Sequence, residues 1–497
     1  MKRILITSVI PYILVAGIIF SGCKKAEDPI ASVPVVIPQA SHVDLFVWNS
    51  MHNYYLWNSQ VPQLDNPSYN KGDSLNAFLN HYSDPNKLFK RLKYYPDSID
   101  KWSFIVDNSK TISDWISGIS ETMGYDFMLG RIEKSDTLFG FVRYVYKGSP
   151  AEEAGLKRGD IFYKVTDQKI TASNYPTLLF ATLTYKLSFA TAIRKDTGFK
   201  ITPINKTMSM TAVTMQENPI NKDTVFTFNN EKVGYLVYNG FNSDYDLQLN
   251  NVIKKFKDAG ISQMVLDLRY NGGGSVQSSI YLASMIYGTD KTKLFAKAHY
   301  NEGFQKYIVG QYGEQSLNDN FETTIAATKT TLAAPINTLN LQKIYIICSD
   351  NTASASELLI NGLRPYMNVK LIGINTVGKY VGSMTITDDK VTSNKWAMQP
   401  IVVKYANYLG VTDFVNGLTP DITAKEDVVN LLPFGDPNET LLKVALTDMQ
   451  GGVVISQTLK SAQMGLRKFT DSQAHKPFSK DMYINPDKFK ALKKTVQ

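Results

Sequence analysis

The 497-residue sequence contains few of the residues from which disulfide or metal frameworks are built. Its two cysteines, Cys23 and Cys348, are too few for a disulfide framework. Its five histidines are scattered without metal-motif spacing, so we expect no metal and no other cofactor. The sequence also shows no internal repeats, which excludes a repeat architecture.

A strong excess of either charge is also missing. The net charge of +8 is spread along the chain, and only the C-terminal tail is locally rich in lysine. A solvated surface accounts for this pattern, so we expect no nucleic-acid partner. The glycine-rich stretch Gly272–Gly274 fits neither the G-x-x-x-x-G-K-[ST] nor the G-x-G-x-x-G frame, which disfavours a nucleotide-phosphate site.

Long apolar runs are limited to the N-terminus. Met1-Lys2-Arg3 precedes a 17-residue apolar run, Ile4–Phe20, which contains Pro11. The run is short and broken by proline, which indicates a signal peptide over residues 1–22 rather than a membrane-spanning helix. The ending F-S-G-C resembles the lipobox of bacterial lipoproteins, which implies cleavage before Cys23, acylation of its thiol and an exported, membrane-anchored, cell-envelope protein. An unprocessed signal anchor is the alternative.

The rest of the chain divides into segments of different pattern. The expected fold class is multidomain α/β, with a helical unit and a β-rich unit ahead of an α/β core. Ser41 is a plausible N-cap of the first helix. The predicted boundaries are a tether over 23–40, a helical unit over 41–118, a β-rich unit over 119–210, an α/β core over 211–430, and a C-terminal helix with an irregular tail over 431–497.

A motif of turns and a short helix lies in the β-rich unit. The stretch G-S-P-A-E-E-A-G-L-K-R-G-D, residues 148–160, resembles the corresponding segment of bacterial PDZ domains. That resemblance implies capture of a polypeptide C-terminus by strand addition, with the carboxylate held by backbone N–H groups. The implied peptide-binding loop contains Gly124, Tyr125 and Phe127. A β-domain that only packs against its neighbours is the alternative.

Three polar stretches follow predicted strands of the α/β core. The glycine turn comes after 264–268, Ser354 after the run 344–348, and Lys379 after the run 369–374. Strand ends in such a sheet face one crevice, so we expect these groups to meet. Without a suitable histidine, a lysine whose pKa is lowered by burial can deprotonate a serine, and backbone N–H groups can hold the oxyanion. A helix-capping serine and a surface lysine are the alternative.

The motifs L-D-L-R-Y-N-G-G-G, T-A-S-A-S-E and N-T-V-G-K together resemble those of the C-terminal processing, or tail-specific, serine peptidases of the S41 type. The resemblance implies a crotonase-like α/β core, with Ser354 as nucleophile and Lys379, 25 residues later, as base. It further implies that the backbone N–H groups of Gly273 or Gly274 and of Ala355 hold the oxyanion. Glu357 and Thr376 match positions that support the site. Ser356 is the alternative nucleophile, and Cys348 is expected to be a core thiol.

One position departs from the resemblance. Many members have a glutamine that orients the lysine, where this sequence has Ser383. Ser383 is shorter, so it reaches Lys379 directly, acts through a water, or leaves the task to another group.

The expected function is cleavage of polypeptides captured by their C-termini. A weakly active or inactive binding protein of the same fold is the alternative, and a coenzyme A acyl-transfer enzyme is disfavoured by the PDZ motif and the export signal.

Overall fold

A computed structural model describes residues 36–132, 136–195, 198–328, 331–452, 466–476 and 478–485. The predicted signal peptide, Cys23 and most of the tether lie outside these residues. No helix among the described residues combines the length and apolar character needed to cross a membrane. The helical, β-rich and α/β units expected from the sequence are all present, so the fold-class prediction is confirmed.

The first unit is helical and packs around a core that includes Val47, Met51, Leu79 and Leu88. Its first helix begins after Ser41, whose side chain accepts a hydrogen bond from the Asp44 N–H, as the capping pattern predicts. Its elements are α1 (His42–Tyr54), α2 (Pro62–Asp65), α3 (Gly72–Leu79), α4 (Pro85–Arg91), β1 (Phe104–Val106) and α5 (Ser109–Ile116).

The second unit is rich in strands. Its short helix starts at Pro150 behind the N-cap Ser149, and Gly155 follows with a φ of +80°, as the motif predicts. Its elements are β2 (Ile119–Thr122), β3 (Tyr125–Ile132), β4 (Leu138–Val145), α6 (Pro150–Glu153), β5 (Ile161–Val165), β6 (Gln168–Lys169), α7 (Tyr175–Phe180), β7 (Thr184–Lys195), β8 (Gly198–Thr211) and β9 (Val213–Gln216).

The third unit alternates strands and helices. Its elements up to the helix after Ser354 are β10 (Ile220–Phe228), β11 (Glu231–Tyr238), α8 (Asp246–Ala259), β12 (Gln263–Asp267), β13 (Gly274–Ser275), α9 (Val276–Ile286), β14 (Leu294–His299), α10 (Glu302–Tyr312), β15 (Asn318–Asn320), β16 (Thr324–Ile325), β17 (Ala334–Pro335), β18 (Lys343–Cys348) and α11 (Ala355–Leu363). The remaining elements are β19 (Asn368–Gly373), β20 (Val381–Met384), β21 (Ile386–Thr387), β22 (Ala397–Gln399), β23 (Ile401–Asn407), β24 (Ile422–Thr423), α12 (Thr440–Met449), β25 (Leu466–Asp471) and β26 (Met482–Ile484).

A six-stranded sheet in the order β10-β11-β12-β18-β19-β24 forms the centre of this unit. The strands from β11 to β24 are parallel, so their carboxyl ends share one edge. Successive side chains of β18 face opposite sides: Ile346 packs with α8, α9 and α11, and Ile347 packs with α12. The layered packing places the glycine turn, Ser354 and Lys379 at one sheet edge.

The tail differs from the expectation of an irregular segment. Residues 466–471 form β25, which joins the β-rich unit beside β3. Residues 482–484 form β26, which lies between β13 and β20 in a second six-stranded sheet of the core. The prediction of an irregular tail is therefore wrong for these two stretches, because their partners are distant strands that leave no local sequence signal.

Candidate active site

Ser354 lies directly before helix α11 in a conformation that few residues other than glycine adopt. Its φ is +64°, and its side chain is fully buried. Ser354 stands in the N-cap position of a capping box with Glu357, but its hydroxyl makes no hydrogen bond of normal geometry among the described residues. The alternative Ser356 is different, since its hydroxyl donates to the Asn271 carbonyl over 3.1 Å. A buried, unpaired hydroxyl on strained backbone is a feature of functional sites, which favours Ser354 over Ser356 as the nucleophile.

Glu357 connects the serine to the lysine loop. Its Oε2 atom accepts the N–H groups of Ser354 and Lys379, each over 2.8 Å. Its Oε1 atom accepts the Thr376 hydroxyl over 2.5 Å and the Gly378 N–H over 2.6 Å. Burial raises the pKa of Glu357, and these four hydrogen bonds oppose the rise. Glu357 and Thr376, which the resemblance implies as supporting residues, are thus in contact with each other, and Glu357 also contacts the backbone of Ser354 and Lys379.

Lys379 is buried at the same edge. Its ammonium group forms an ion pair with Asp481, and it lies 4.9 Å from the centre of the Trp102 ring. No hydrogen bond between its Nζ and the Ser354 hydroxyl is present among the described contacts. Burial lowers the pKa of Lys379, while the charge of Asp481 acts in the opposite direction. A lowered lysine pKa is what a general base requires.

Asp481 was missed by sequence reasoning. It precedes β26 in the tail, 102 residues after Lys379, and no motif marks it. Ser383, which stands where the resemblance has a glutamine, does not contact Lys379. Its hydroxyl instead donates to Asp481 Oδ2 over 2.8 Å, and it accepts from Gln399 Nε2 over 2.9 Å. Of the three possibilities for Ser383, the structure has the one in which another group holds the lysine.

The glycine turn lies against the serine. A side chain on Gly273 would place its Cβ 2.7 Å from the Ser354 Cβ, so only glycine allows this approach. The Gly273 N–H donates to Asn271 Oδ1 over 2.9 Å, and the Gly274 N–H donates to the Asp481 carbonyl over 2.8 Å. The Ala355 N–H has no acceptor among the described residues. Of the three N–H groups that the resemblance implies as oxyanion donors, that of Ala355 is thus free to donate to a ligand, whereas those of Gly273 and Gly274 are occupied.

A cavity of ≈ 370 Å³ opens beside the turn, between the helical unit, the β-rich unit and the core. Its lining includes Gly273, which contacts Ser354, and Asp481, which contacts Lys379. Trp115 and Phe478 supply apolar walls, and the position suits a chain that approaches the site. The described residues hold no cluster with metal-ligand geometry.

Cys348 lies outside the chemistry. Its thiol is buried and donates to the Ile374 carbonyl over 3.4 Å. Burial raises the pKa of Cys348 to about 12, which leaves no thiolate near neutral pH. The expectation of a core thiol agrees with these contacts.

The predicted peptide-binding loop stands at the start of β3. The side chains of Tyr125 and Phe127 belong to the core of the β-rich unit, so only their backbone can meet a peptide. Gly124 has a φ of +83° and leaves no room for a side chain, because a Cβ would lie 2.1 Å from the Ser149 Cβ. The Phe127 N–H donates to Ser472 of the chain's own tail over 3.1 Å.

Comparison with known families agrees with this arrangement. Residues 232–424 match peptidase family S41, residues 42–104 match the peptidase S41 N-terminal domain, and residues 141–179 match the PDZ domain family. The fold and site thus define an α/β peptidase-type core joined to a PDZ domain. The core over residues 232–424 belongs to peptidase family S41, and residues 42–104 match the N-terminal domain of that family.

This chain is also similar to curated relatives and to a solved structure. The carboxy-terminal processing protease CtpA of Bacillus subtilis (strain 168) is 24% identical over 347 residues, which are 69% of this chain and 64% of that protein. The Staphylococcus aureus (strain N315) protein named Probable CtpA-like serine protease is 22% identical over 391 residues, 76% of this chain and 69% of its own length. The chain therefore spans less than two thirds of the Bacillus relative.

A crystal structure of a candidate S41 protease from Bacteroides fragilis NCTC 9343 superposes on this chain with a TM-score of 0.66. The two sequences are 26% identical, and the match covers 84% of this chain and 99% of that one. A match over 84% of this chain extends beyond any one of its three units.

Proposed function

We propose that this protein is a serine peptidase that cleaves polypeptide chains, with Ser354 as nucleophile and Lys379 as general base. The observation that carries the proposal is the fully buried Ser354 hydroxyl, which lacks a partner at the head of α11. The backbone N–H groups of Ser354 and of the buried Lys379 both donate to Glu357, which holds the two residues together. Membership of family S41 supports the same activity.

The reaction runs through an acyl-enzyme. Neutral Lys379 takes the proton of the Ser354 hydroxyl as Oγ attacks the scissile carbonyl carbon. The Ala355 N–H stabilises the oxyanion, and the C–N bond breaks as Lys379 returns the proton to the leaving amine. Water then attacks the ester carbonyl carbon as neutral Lys379 takes its proton. The C–Oγ bond breaks, Lys379 returns the proton to Ser354 Oγ, and the acyl product leaves as a carboxylic acid that ionises in water. Lys379 must approach Ser354 for this, since in the resting geometry it is paired with Asp481.

We propose further that the PDZ domain captures substrates by their C-termini. The G-S-P-A-x-x-A-G-L motif and the match to the PDZ family support this role. Backbone N–H groups of the 124–127 loop would hold the carboxylate, and β3 would pair with the peptide. Unfolded or tail-tagged polypeptides, which present an accessible C-terminus, are the substrate class that fits.

The experiment uses the purified protein with a denatured protein substrate and a fluorophosphonate probe. Wild type should cleave the substrate and acquire one adduct on Ser354, as mass spectrometry reads out. Ser354→Ala and Lys379→Ala should lose cleavage by roughly three orders of magnitude or more while keeping the wild-type unfolding temperature. Ser356→Ala is the matched control and should retain cleavage. Undiminished cleavage by Ser354→Ala overturns the proposal.

A second candidate function is a binding protein that retains the fold with little turnover. The paired state of Lys379 and the occupied N–H of Gly274 favour it. The two candidates separate in the probe experiment. A binding protein would capture peptides through the PDZ domain without an adduct on Ser354, whereas a peptidase would form one.

We also propose that Cys23 is acylated and anchors the protein to a membrane of the cell envelope. The F-S-G-C ending of the apolar segment supports this proposal. Expression with an alkyne fatty acid should label the wild type and leave Cys23→Ala unlabelled. Equal labelling of both proteins would exclude lipidation at Cys23.

A further inference from the structure

We propose that Asp481, at the start of the tail strand β26, is the residue that positions Lys379 for the reaction. The inference rests on the proposed serine peptidase function and assigns the role that the sequence leaves open at Ser383. Asp481 is itself 4% exposed, and its carboxylate is the described polar partner of the Lys379 ammonium. It is a positioning residue, since it acts on the substrate through the lysine.

The carboxylate of Asp481 is held from several directions. Its Oδ2 accepts the Ser383 hydroxyl over 2.8 Å, and its Oδ1 accepts the Met482 N–H over 2.9 Å. Gln399 fixes the Ser383 hydroxyl in turn, over 2.9 Å. Such a chain of partners leaves one oxygen of Asp481 directed at Lys379, as the support of a catalytic group requires.

The placement of β26 shows that Asp481 is a built-in part of the site. The strand lies in the interior of a six-stranded sheet, between β13, which begins at Gly274, and β20, which carries Ser383. Met482, Tyr483 and Ile484 are each at most 8% exposed. A removable segment would lie at an edge, whereas displacing β26 would open the sheet on both sides.

The charge of Asp481 raises the proton affinity of the lysine, against the larger effect of burial. Burial disfavours the ammonium form, and the carboxylates that face Lys379, namely Asp481, Asp100 and Glu357, favour it. Asp481 makes the direct contact among the three. Removing its charge should therefore lower the pKa of Lys379 and extend the neutral, reactive form to lower pH.

The test compares wild type with Asp481→Asn, Asp481→Glu and Asp481→Ala by the pH dependence of kcat/KM on a denatured substrate. Asp481→Ala should lose roughly tenfold or more of kcat with little change of KM. Asp481→Asn should shift the acidic limb of the profile to lower pH, and Asp481→Glu should recover part of the loss. If Asp481 had only a structural role, kcat/KM would fall by the same factor at every pH, and the acidic limb of the profile would stay at the same pH.

Two failures are distinguishable. If wild type neither cleaves nor reacts with the fluorophosphonate probe, the proposed function itself fails. If wild type is active and Asp481→Asn matches it in rate and pH profile, only the positioning role is overturned. An increase in activity in Asp481→Ala would likewise overturn it, because it would make Asp481 an inhibitor of the lysine.

A separate observation concerns the PDZ domain. Strand β25 lies antiparallel to β3, with Leu466 opposite Ile132 and Asp471 opposite Met128, so it runs toward the 124–127 loop. An extended peptide whose C-terminus enters that loop would take the same edge in the same direction. We infer that segment Leu466–Asp471 is a tethered occupant of the peptide-binding edge, and that a substrate C-terminus binds there by displacing it.

The contacts of β25 fit an occupant that can leave. It is the edge strand of its sheet, and Arg467, Lys468 and Phe469 are exposed. Directly after it, Ser472 accepts the N–H of Phe127, a group of the predicted carboxylate loop. Its polar anchors are on side chains: Asp471 pairs with Arg143 over 3.3 Å, and Lys468 pairs with Asp350 over 3.0 Å. The Ser472 hydroxyl donates to Asp126 over 2.8 Å. Unlike β26, this strand has a partner on one side alone.

A disulfide lock tests this inference on the full chain in a Ser354→Ala background. Arg131 and Arg467 face each other across the two strands, so Arg131→Cys with Arg467→Cys should form a disulfide on oxidation. The oxidised protein should bind a fluorescent peptide with a free C-terminus at least roughly tenfold more weakly than the reduced protein. The single variants serve as controls and should bind equally in both states.

Reduction restores the edge without refolding, so a loss that reductant reverses cannot come from a misfolded variant. Equal peptide affinity of the oxidised and reduced proteins would overturn the inference. Failure of the two cysteines to cross-link would overturn it as well, because it would mean that β25 does not occupy β3 in solution.

Discussion

Ser354 and Lys379 donate their backbone N–H groups to the same carboxylate oxygen, Oε2 of Glu357, each over 2.8 Å. The other oxygen accepts the Thr376 hydroxyl and the Gly378 N–H, so all four partners of Glu357 are donors. A position surrounded only by hydrogen-bond donors suits a group that can only accept hydrogen bonds, and an ionised carboxylate is such a group. Glu357 therefore holds the start of helix α11 close to the loop that carries Lys379, and the positions of the two proposed reactive residues both depend on it.

The first prediction concerns this carboxylate. Glu357→Gln places an NH₂ group against at least one backbone N–H in either orientation of the amide. We expect a loss of roughly 1–3 kcal/mol in the free energy of unfolding, with a larger proportional loss of peptidase activity. Chemical denaturation and substrate cleavage measure the two effects.

Thr376→Ser is the matched control for Glu357→Gln. A serine hydroxyl can still donate to Glu357 and accept the Leu418 N–H, which Thr376 accepts over 2.7 Å. This variant should stay close to wild type in stability and activity. Wild-type behaviour of Glu357→Gln would contradict the assigned role.

The second prediction concerns the contact between the PDZ domain and the core. Arg158 of the PDZ motif and Arg269 of the core both bind Glu426, over 2.6 and 2.7 Å. Burial opposes ionisation of Glu426, but the two guanidinium groups prevail and lower its pKa to about 2. Because the folded pKa lies below the ordinary 4.5, this stabilisation is complete above about pH 4.5 and is lost as the pH falls toward 2.

Glu426→Gln should therefore reduce the free energy of unfolding by roughly 2 kcal/mol at pH 7, and the deficit should shrink below pH 4. Denaturant unfolding at several pH values measures it. The exposed Glu153→Gln offers a control with no expected effect. A deficit that stays constant from pH 7 to pH 3 would contradict the ionic explanation.

The local part of the fold and site could be predicted from the sequence. The apolar run before Ser354 is strand β18, and the capping pattern at Ser41 begins α1. These features depend on residues close in sequence, which is the range over which periodicity and capping act. The convergence of Ser354 and Lys379 followed from the rule that parallel strands end at one edge.

Asp481 and β25 could not be predicted in this way. Asp481 precedes a strand of three residues that gains its place from β13 and β20, both distant in the chain. The sequence of strand β25, L-R-K-F-T-D, contains charged residues that are exposed, and it has the pattern of a polar tail rather than of a strand. Short strands have too little periodicity to be recognised, and tertiary partners determine whether they form. The motif L-D-L-R-Y-N-G-G-G, which contains Asp267 and Arg269, could be recognised in the sequence. The buried ion pairs of Arg269 with Asp267 and Glu439 could not be predicted from it.

The third prediction concerns Asp246 at the start of α8. Its side chain is 4% exposed, and its Oδ1 has no partner among the described residues. Burial raises the pKa of Asp246 to about 7 from the ordinary 3.8. For an acid with a raised folded pKa, the stabilisation is complete below about pH 3.8 and is lost as the pH rises through 7.

Asp246→Asn removes the cost of the buried charge. Its advantage over wild type in unfolding free energy should be larger at pH 8.5 than at pH 5, by roughly 2 kcal/mol, and should level off above pH 7. The exposed Asp258→Asn is the control on the same helix and should show no such pH dependence. Parallel stability curves for Asp246→Asn and wild type would contradict the raised pKa.

The last prediction concerns the contact between the glycine turn and the tail. A Cβ on Gly272 would lie 1.8 Å from the Ser479 carbonyl oxygen, so Gly272→Ala must push residues 479–481 away. This movement would separate Asp481 from the Gly274 N–H and from Lys379, and we expect a cost of roughly 1–3 kcal/mol together with a marked loss of activity.

Gly310→Ala in α10 is the control for Gly272→Ala, because its Cβ meets no atom within 4 Å. It should keep full activity and gain up to about 1 kcal/mol, since alanine favours a helix more than glycine does. Differential scanning fluorimetry and substrate cleavage on both variants measure the outcome. If Gly272→Ala were as active as Gly310→Ala, the tail would have no part in the site, and the positioning role of Asp481 would fall with it.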